Sequence, residues 1–308
     1  MAKFSETDLR GVIPALITPF DEQENFDEKR MRAVVDHLLN KGVNGLYLTG
    51  STGEGFLMTP DERKQVVEVV VDQVAGRVPL ISHVGAIGTK VSIDLAKHAE
   101  KAGVDALSSV PPFYWKFNDD SVYNYYKDIT QATALPMIVY NIALAGLAGF
   151  EQIKRFSTIE GVKGVKYTAT AHFEVMRMKE ELGDDFLVFS GCDEMSMSGL
   201  AFGADGLIGS FYNLMPELFI SIYEAVKNND LKLAEQKQRE ANSIIMYATQ
   251  QNHLAIIKHA LTWMGVDAGY CRRPFPNYSS AEQEVMKTNF RMLKEKHRIS
   301  DVDFLNAL

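Results

Sequence analysis

From Gly11 onward, short apolar runs alternate with stretches whose apolar positions recur at helical spacing. The runs are Gly11–Thr18, Gly45–Thr49, Val78–His83, Ala106–Val110, Pro136–Tyr140, Val162–Thr168, Phe186–Ser190 and Gly206–Ser210. Their brevity and β-branched content predict strands buried on both faces. Each is followed by a predicted helix, at about 27–40, 60–75, 89–102, 119–133, 150–157, 172–182, 194–202 and 216–228, with Asp27 placed to cap the first. Eight such units in roughly 220 residues predict an α/β fold of the (β/α)8 TIM barrel type rather than an open doubly wound sheet. Right-handed crossovers make the strands parallel. No linker rich in Pro, Ser or Gly interrupts the series, so residues 1–230 read as one barrel domain. Residues 231–308 carry further helical patterns at 231–250, 253–264 and 280–297, and read as a C-terminal helical bundle packed on the barrel.

A barrel works at the carboxyl ends of its strands, so the residues there are the candidates for chemistry. The stretch VKGVKYT, Val162–Thr168, directs attention to Lys166. Burial disfavours the ammonium form of a lysine and favours the neutral amine, a nucleophile that condenses with ketones and aldehydes to an imine. The alternative is a solvated lysine at a strand end, as Lys163 is expected to be. The second strand ends in GSTGE, Gly50–Glu54, whose glycine-rich turn and hydroxyls Ser51 and Thr52 suit an anionic group. Its glycine spacing is not that of a dinucleotide fingerprint. Tyr140, ending the fifth strand, is the nearest proton carrier to Lys166, although a phenol is a poor base without a relay and tyrosines also pack barrel rims. The seventh strand ends in Gly191-Cys192-Asp193-Glu194, whose two carboxylates repel phosphate and suit hydroxyl donors. They suit equally well the capping of the next helix.

Composition narrows the class. The chain has 308 residues, 46% hydrophobic and 23% charged, and a net charge of −8. That leaves no basic footprint for nucleic acid or anionic lipid. Met1–Arg10 lacks the apolar core of a leader and no apolar stretch is long enough to span a bilayer, so a cytoplasmic location is expected. Cys192 and Cys271, without CxxC spacing, read as reduced thiols. The seven histidines include no H-E-x-x-H, and only His83 and His172 fall near strand ends, so no metal is expected.

Gly50-Ser51-Thr52-Gly53-Glu54, Pro112-Phe113-Tyr114, Tyr140-Asn141, Lys166-Tyr167-Thr168 and Gly191-Cys192-Asp193-Glu194 together resemble the dihydrodipicolinate synthase/N-acetylneuraminate lyase family of pyruvate-dependent Schiff-base enzymes. The resemblance runs from about Gly11 to Phe275. It is nearer to the lyase side: Ser51-Thr52 stands where the synthases have two threonines, and Ile142–Gly149 lacks the arginine with which they grip a second carboxylate. The resemblance implies a class I aldolase that cleaves sialic acid to pyruvate and N-acetylmannosamine without a metal or organic cofactor, with Lys166 forming the imine. Ser51 and Thr52 would then hold the carboxylate, Tyr140 would carry the proton through Ser51, and Thr168 would orient the hydroxyl that loses it. Gly191, Asp193, Glu194 and Ser210 would line the polyol pocket, and Tyr114 would come from a neighbouring subunit of a homotetramer. The stretch after Tyr140-Asn141 departs from the lyase pattern, reading IALAGLAG without the usual proline. Another pyruvate-imine enzyme, either the synthase or an aldolase for a different 2-keto-3-deoxy sugar acid, stays open, as does a barrel that binds a keto acid without turning it over.

Overall fold

The computed structural model describes residues 3–308. Eight strands alternate with helices: β1 (Gly11–Pro14), α1 (Glu28–Asn40), β2 (Leu46–Leu48), α2 (Pro60–Val74), β3 (Leu80–His83), α3 (Thr89–Ala102), β4 (Ala106–Ser109), α4 (Asp119–Thr130), β5 (Met137–Ile142), α5 (Phe150–Ser157), β6 (Val162–Thr168), α6 (Phe173–Leu182), β7 (Leu187–Ser190), α7 (Ser196–Ala201), β8 (Gly206–Gly209) and α8 (Pro216–Lys227). The strands pair in parallel in the order β1-β8-β7-β6-β5-β4-β3-β2. Backbone bonds from Leu16 N–H to Tyr47 O and from Asn44 N–H to Val12 O close the ring between β1 and β2. The expected (β/α)8 barrel is therefore the observed fold.

Local chemistry sets the helix starts. Asp27 accepts the N–H of Arg30 as expected, and Thr59 and Glu62 form a reciprocal capping box ahead of Pro60. One apolar layer fills the barrel, with Ile13, Tyr47, Ile81, Ile138, Leu187, Phe189 and Ile208 among its members. A larger one lies between strands and helices and continues into the C-terminal extension through Ile244, Ile257 and Phe290. That extension comprises α9 (Leu231–Ala248), α10 (His253–Trp263), α11 (Ser280–His297) and the short α12 (Asp303–Asn306).

The pairing of β5 with β6 fixes the phase of the key strand. Met137 pairs with Val162, but Ile138 pairs with Gly164, so the register shifts and Lys163 is the extra residue. Strict alternation would put Val162 and Lys166 on one face. With the shift, Val162 faces the helices, Lys163 is thrown out to solvent, and Gly164, Lys166 and Thr168 face inward. Gly164 has no room for a side chain, since a Cβ there would overlap the carbonyl of Leu187.

Candidate active site

Lys166 lies inside the barrel and is 3% exposed. Its Nζ sits 4.1 Å from the ring centroid of Tyr140, the neighbouring residue on β5, and 4.5 Å from that of Tyr47 on β2. Three lysines are buried. Lys237 pairs with Glu240 and Lys258 with Glu54, whereas Lys166 pairs with no carboxylate among the described residues. A buried lysine without a carboxylate partner is costly, which sets Lys166 apart from the two buried lysines held in ion pairs. Lys163 is exposed, as expected.

Beside this amine the Tyr140 ring stands nearly orthogonal to its two aromatic neighbours. Tyr140 meets Tyr47 and His83 edge-to-face, at centroid distances of 6.0 Å in both cases. Tyr47 was not among the expected site residues. It is the middle, inward residue of a three-residue strand, and nothing local ties it to a lysine in β6. Its hydroxyl bonds Ser108 Oγ at 3.0 Å, and burial raises its pKa well above 10. Burial likewise holds His83 well below 6.5, reinforced by the nearby Arg63 and Lys166 charges. His83 Nε2 accepts the N–H of Val110 at 3.2 Å, a structural role.

The Ser51-Thr52 turn closes over the end of β2. Thr49 and Glu54 bracket it with left-handed backbones, φ +54° and +56°, a conformation retained only where the surroundings enforce it. Ser51 is half-buried and lines a cleft of about 300 Å³ with Phe56, Val110, Phe113, Ile142 and Ala145. Thr52 Oγ1 lies 2.7 Å from Ser210 Oγ at the end of β8. Ser210 thus joins the two turns, its hydroxyl beside Thr52 and its backbone N–H on the Asp193 carboxylate.

On the opposite side, Thr168 Oγ1 is buried with no hydrogen-bond partner among the described residues. Gly191 faces it, and a Cβ on Gly191 would lie 3.3 Å from Lys166 Cε. Asp193 is buried, and its Oδ2 accepts the N–H of Phe211 at 2.8 Å. Burial pushes its carboxyl up to about 7, against the opposing effect of that bond. Neither Asp193 nor Glu194 caps α7, which has no side-chain cap. Glu194 is exposed, and its carbonyl accepts from Asn242 of α9 at 3.0 Å, while the carbonyl of Asp193 accepts from Gln238 at 3.0 Å. Burial pushes the Cys192 thiol up to about 12, so it is no thiolate.

Two loops complete the rim. Asn141 is a latch: its amide exchanges bonds of 2.8 and 3.1 Å with the backbone of Ala148 and folds Ile142–Gly149 back on itself. Tyr114 is 83% exposed with φ +80°, edge-on to Trp115.

A parallel (β/α)8 barrel with an unpaired lysine inside the carboxyl end of β6, ringed by phenols and hydroxyls, defines a class, and the chain belongs to the dihydrodipicolinate synthetase family, whose profile matches residues 8–293. Within it, the chain is 39% identical over 296 residues to N-acetylneuraminate lyase 2 of Escherichia coli O6:H1, covering 95% of this chain and 97% of that one. Among solved structures it is similar to CdNal from Clostridium difficile in complex with mannosamine, with TM-score 0.88, 33% identity and coverage of 94% and 99%. It is also similar to a catalytic lysine mutant of Ruminococcus gnavus sialic acid aldolase, with TM-score 0.89, 29% identity and coverage of 100% and 98%.

Proposed function

We propose that the protein is an aldolase that cleaves N-acetylneuraminate to pyruvate and N-acetylmannosamine through an imine on Lys166. The observation that carries this reading is the burial of Lys166 without a counter-ion between Tyr47 and Tyr140. The names of the relatives support the sialic acid substrate. The Lys166 amine adds to the keto carbon of the open-chain sugar acid, water leaves, and the resulting iminium draws the electron pair of the breaking C3–C4 bond. The proton of the C4 hydroxyl passes to Tyr140, relayed through the substrate carboxylate and Ser51, and Thr168 orients that hydroxyl. Protonation of the enamine carbon and hydrolysis release pyruvate. Ser51 and Thr52 hold the carboxylate, while Gly191, Asp193, Glu194 and Ser210 serve the hydroxylated tail. Of these, Glu194 offers an exposed carboxylate and Asp193 a buried one.

The synthase alternative lacks its arginine: Ile142–Gly149 is apolar or glycine throughout. A homotetramer in which Tyr114 enters a neighbour's site is supported by the exposure of that ring and by the open cleft beside Ser51. Two buried free cysteines are in keeping with the reducing cytoplasm. The test is reductive trapping: pyruvate with borohydride should add one reduced adduct, on Lys166, and sialic acid should yield pyruvate. A label elsewhere, or none on folded protein, would defeat the mechanism.

A further inference from the structure

The buried ion pair between Glu54 and Lys258 has no part in the chemistry above. Both side chains are fully buried. Lys258, on α10, uses all three of its donors: Glu54 Oε1 at 2.5 Å, Thr18 O at 2.7 Å and Tyr270 O at 2.7 Å. The other oxygen, Glu54 Oε2, accepts the N–H of Arg272 at 2.7 Å. Thr18 Oγ1 in turn donates to Gly53 O at 2.8 Å. One carboxylate thus ties the end of the Ser51-Thr52 turn to the loop after β1, to α10 and to the segment that follows it.

Stability alone is a weak reason for such a pair, because apolar residues of similar size usually do as well in a core. The turn itself supplies a geometric reason. Glu54 is held in a left-handed backbone, and the two glycines beside it have no slack: a Cβ on Gly53 would lie 2.8 Å from Leu16 O, and one on Gly55 would overlap Thr49 O. The tethers at Glu54 oppose relaxation of this conformation and so fix where the Ser51 and Thr52 hydroxyls and amides point.

We infer that Glu54 and Lys258 are positioning residues that preorganise the Ser51-Thr52 turn for the carboxylate of a 2-keto acid. They touch no substrate and act through that turn, so the inference rests on the reading that Ser51 and Thr52 bind the carboxylate. It is tested on the full chain with two probes trapped by borohydride and counted by intact mass, pyruvate and its carboxylate-free analogue methyl pyruvate. Glu54→Gln keeps the side chain's shape, but its NH2 must face either the Lys258 ammonium or the Arg272 N–H, so one tether is lost. The half-saturating pyruvate concentration should rise about tenfold or more, the size of one lost bond to a charged group. Methyl pyruvate should shift by less than about twofold, since it makes no call on a carboxylate cradle. A pair that serves only the fold would move both probes alike or neither, and either result overturns the proposal. Should Glu54→Gln not fold, the double variant E54Q/K258M, which buries no unpaired charge, takes the same comparison and the same results decide it. Wild-type protein that traps neither probe would instead overturn the Lys166 reading itself, which distinguishes the two failures.

Discussion

Gly191→Ala is the sharpest probe of how tightly the site is built. Gly191 has no left-handed backbone requirement, so the consequence of adding a methyl is purely steric. The new Cβ would overlap Thr168 Oγ1 and stand 3.0 Å from Thr168 Cβ and 3.3 Å from Lys166 Cε. Rotating Thr168 relieves the first contact only. The Cβ–Cβ approach stays roughly 0.5–1 Å inside ordinary carbon contact, and the Gly191 N–H is bonded to Tyr167 O at 2.9 Å, which resists parting of the strands. Overpacking of this kind costs about 1–3 kcal/mol of stability, a few degrees in Tm at roughly 2–4 °C per kcal/mol. A reacting group displaced by about an ångström loses roughly 10²-fold in rate. We expect kcat/KM for sialic acid cleavage to fall by about that factor, with slower trapping of pyruvate on Lys166 and a protein that still melts cooperatively. Steady-state pyruvate release and a thermal melt on the same preparation measure both effects. Turnover within threefold of wild type would show that Lys166 and Thr168 are not held by this contact.

Two further outcomes follow from the geometry. Tyr140→Phe should lower turnover by about 10²–10⁴-fold, the range of general acid–base groups, while pyruvate still labels Lys166; near-normal turnover would move the proton carrier elsewhere, as rapid-quench product analysis would reveal. Asp193→Asn should change the pH dependence of stability. The folded carboxyl, pushed up to about 7 from 3.8, keeps a proton that the unfolded chain gives up between those values, so its contribution is full below pH 4 and is lost as pH rises through 7. In urea melts from pH 4 to 8 the advantage of wild type over the variant should therefore shrink with rising pH, by on the order of 4 kcal/mol at most. A difference that stays constant across the range would show that Asp193 titrates normally.

The sequence pattern is most informative where contacts are local. The strand carrying Lys166 runs over the expected Val162–Thr168, and α5 and α11 begin and end where periodicity places them. What alternation alone does not reveal is the register shift at Lys163, a property of the pairing with β5, and that shift decides which lysine enters the barrel. Tyr47 and the partner of Glu54 escape for a related reason: the first belongs to a different part of the chain from Lys166, and the second is 204 residues away. Only closure of the ring and docking of α10 bring them in. Asn141 illustrates the converse, since a polar residue beside Tyr140 in sequence spends both ends of its amide on its own loop.

The C-terminal extension grips both halves of the site without entering it. Lys258 and the Arg272 N–H hold the Ser51-Thr52 turn, while Gln238 and Asn242 hold the carbonyls of Asp193 and Glu194. Binding and docking are then linked equilibria: to the extent that these contacts favour the turn geometry that a ligand selects, the ligand must by the same free energy favour the contacts. If a sugar acid spans the two turns as proposed, it becomes a fastener for α9 and α10, and their backbone amides should exchange with solvent more slowly when the barrel mouth is filled.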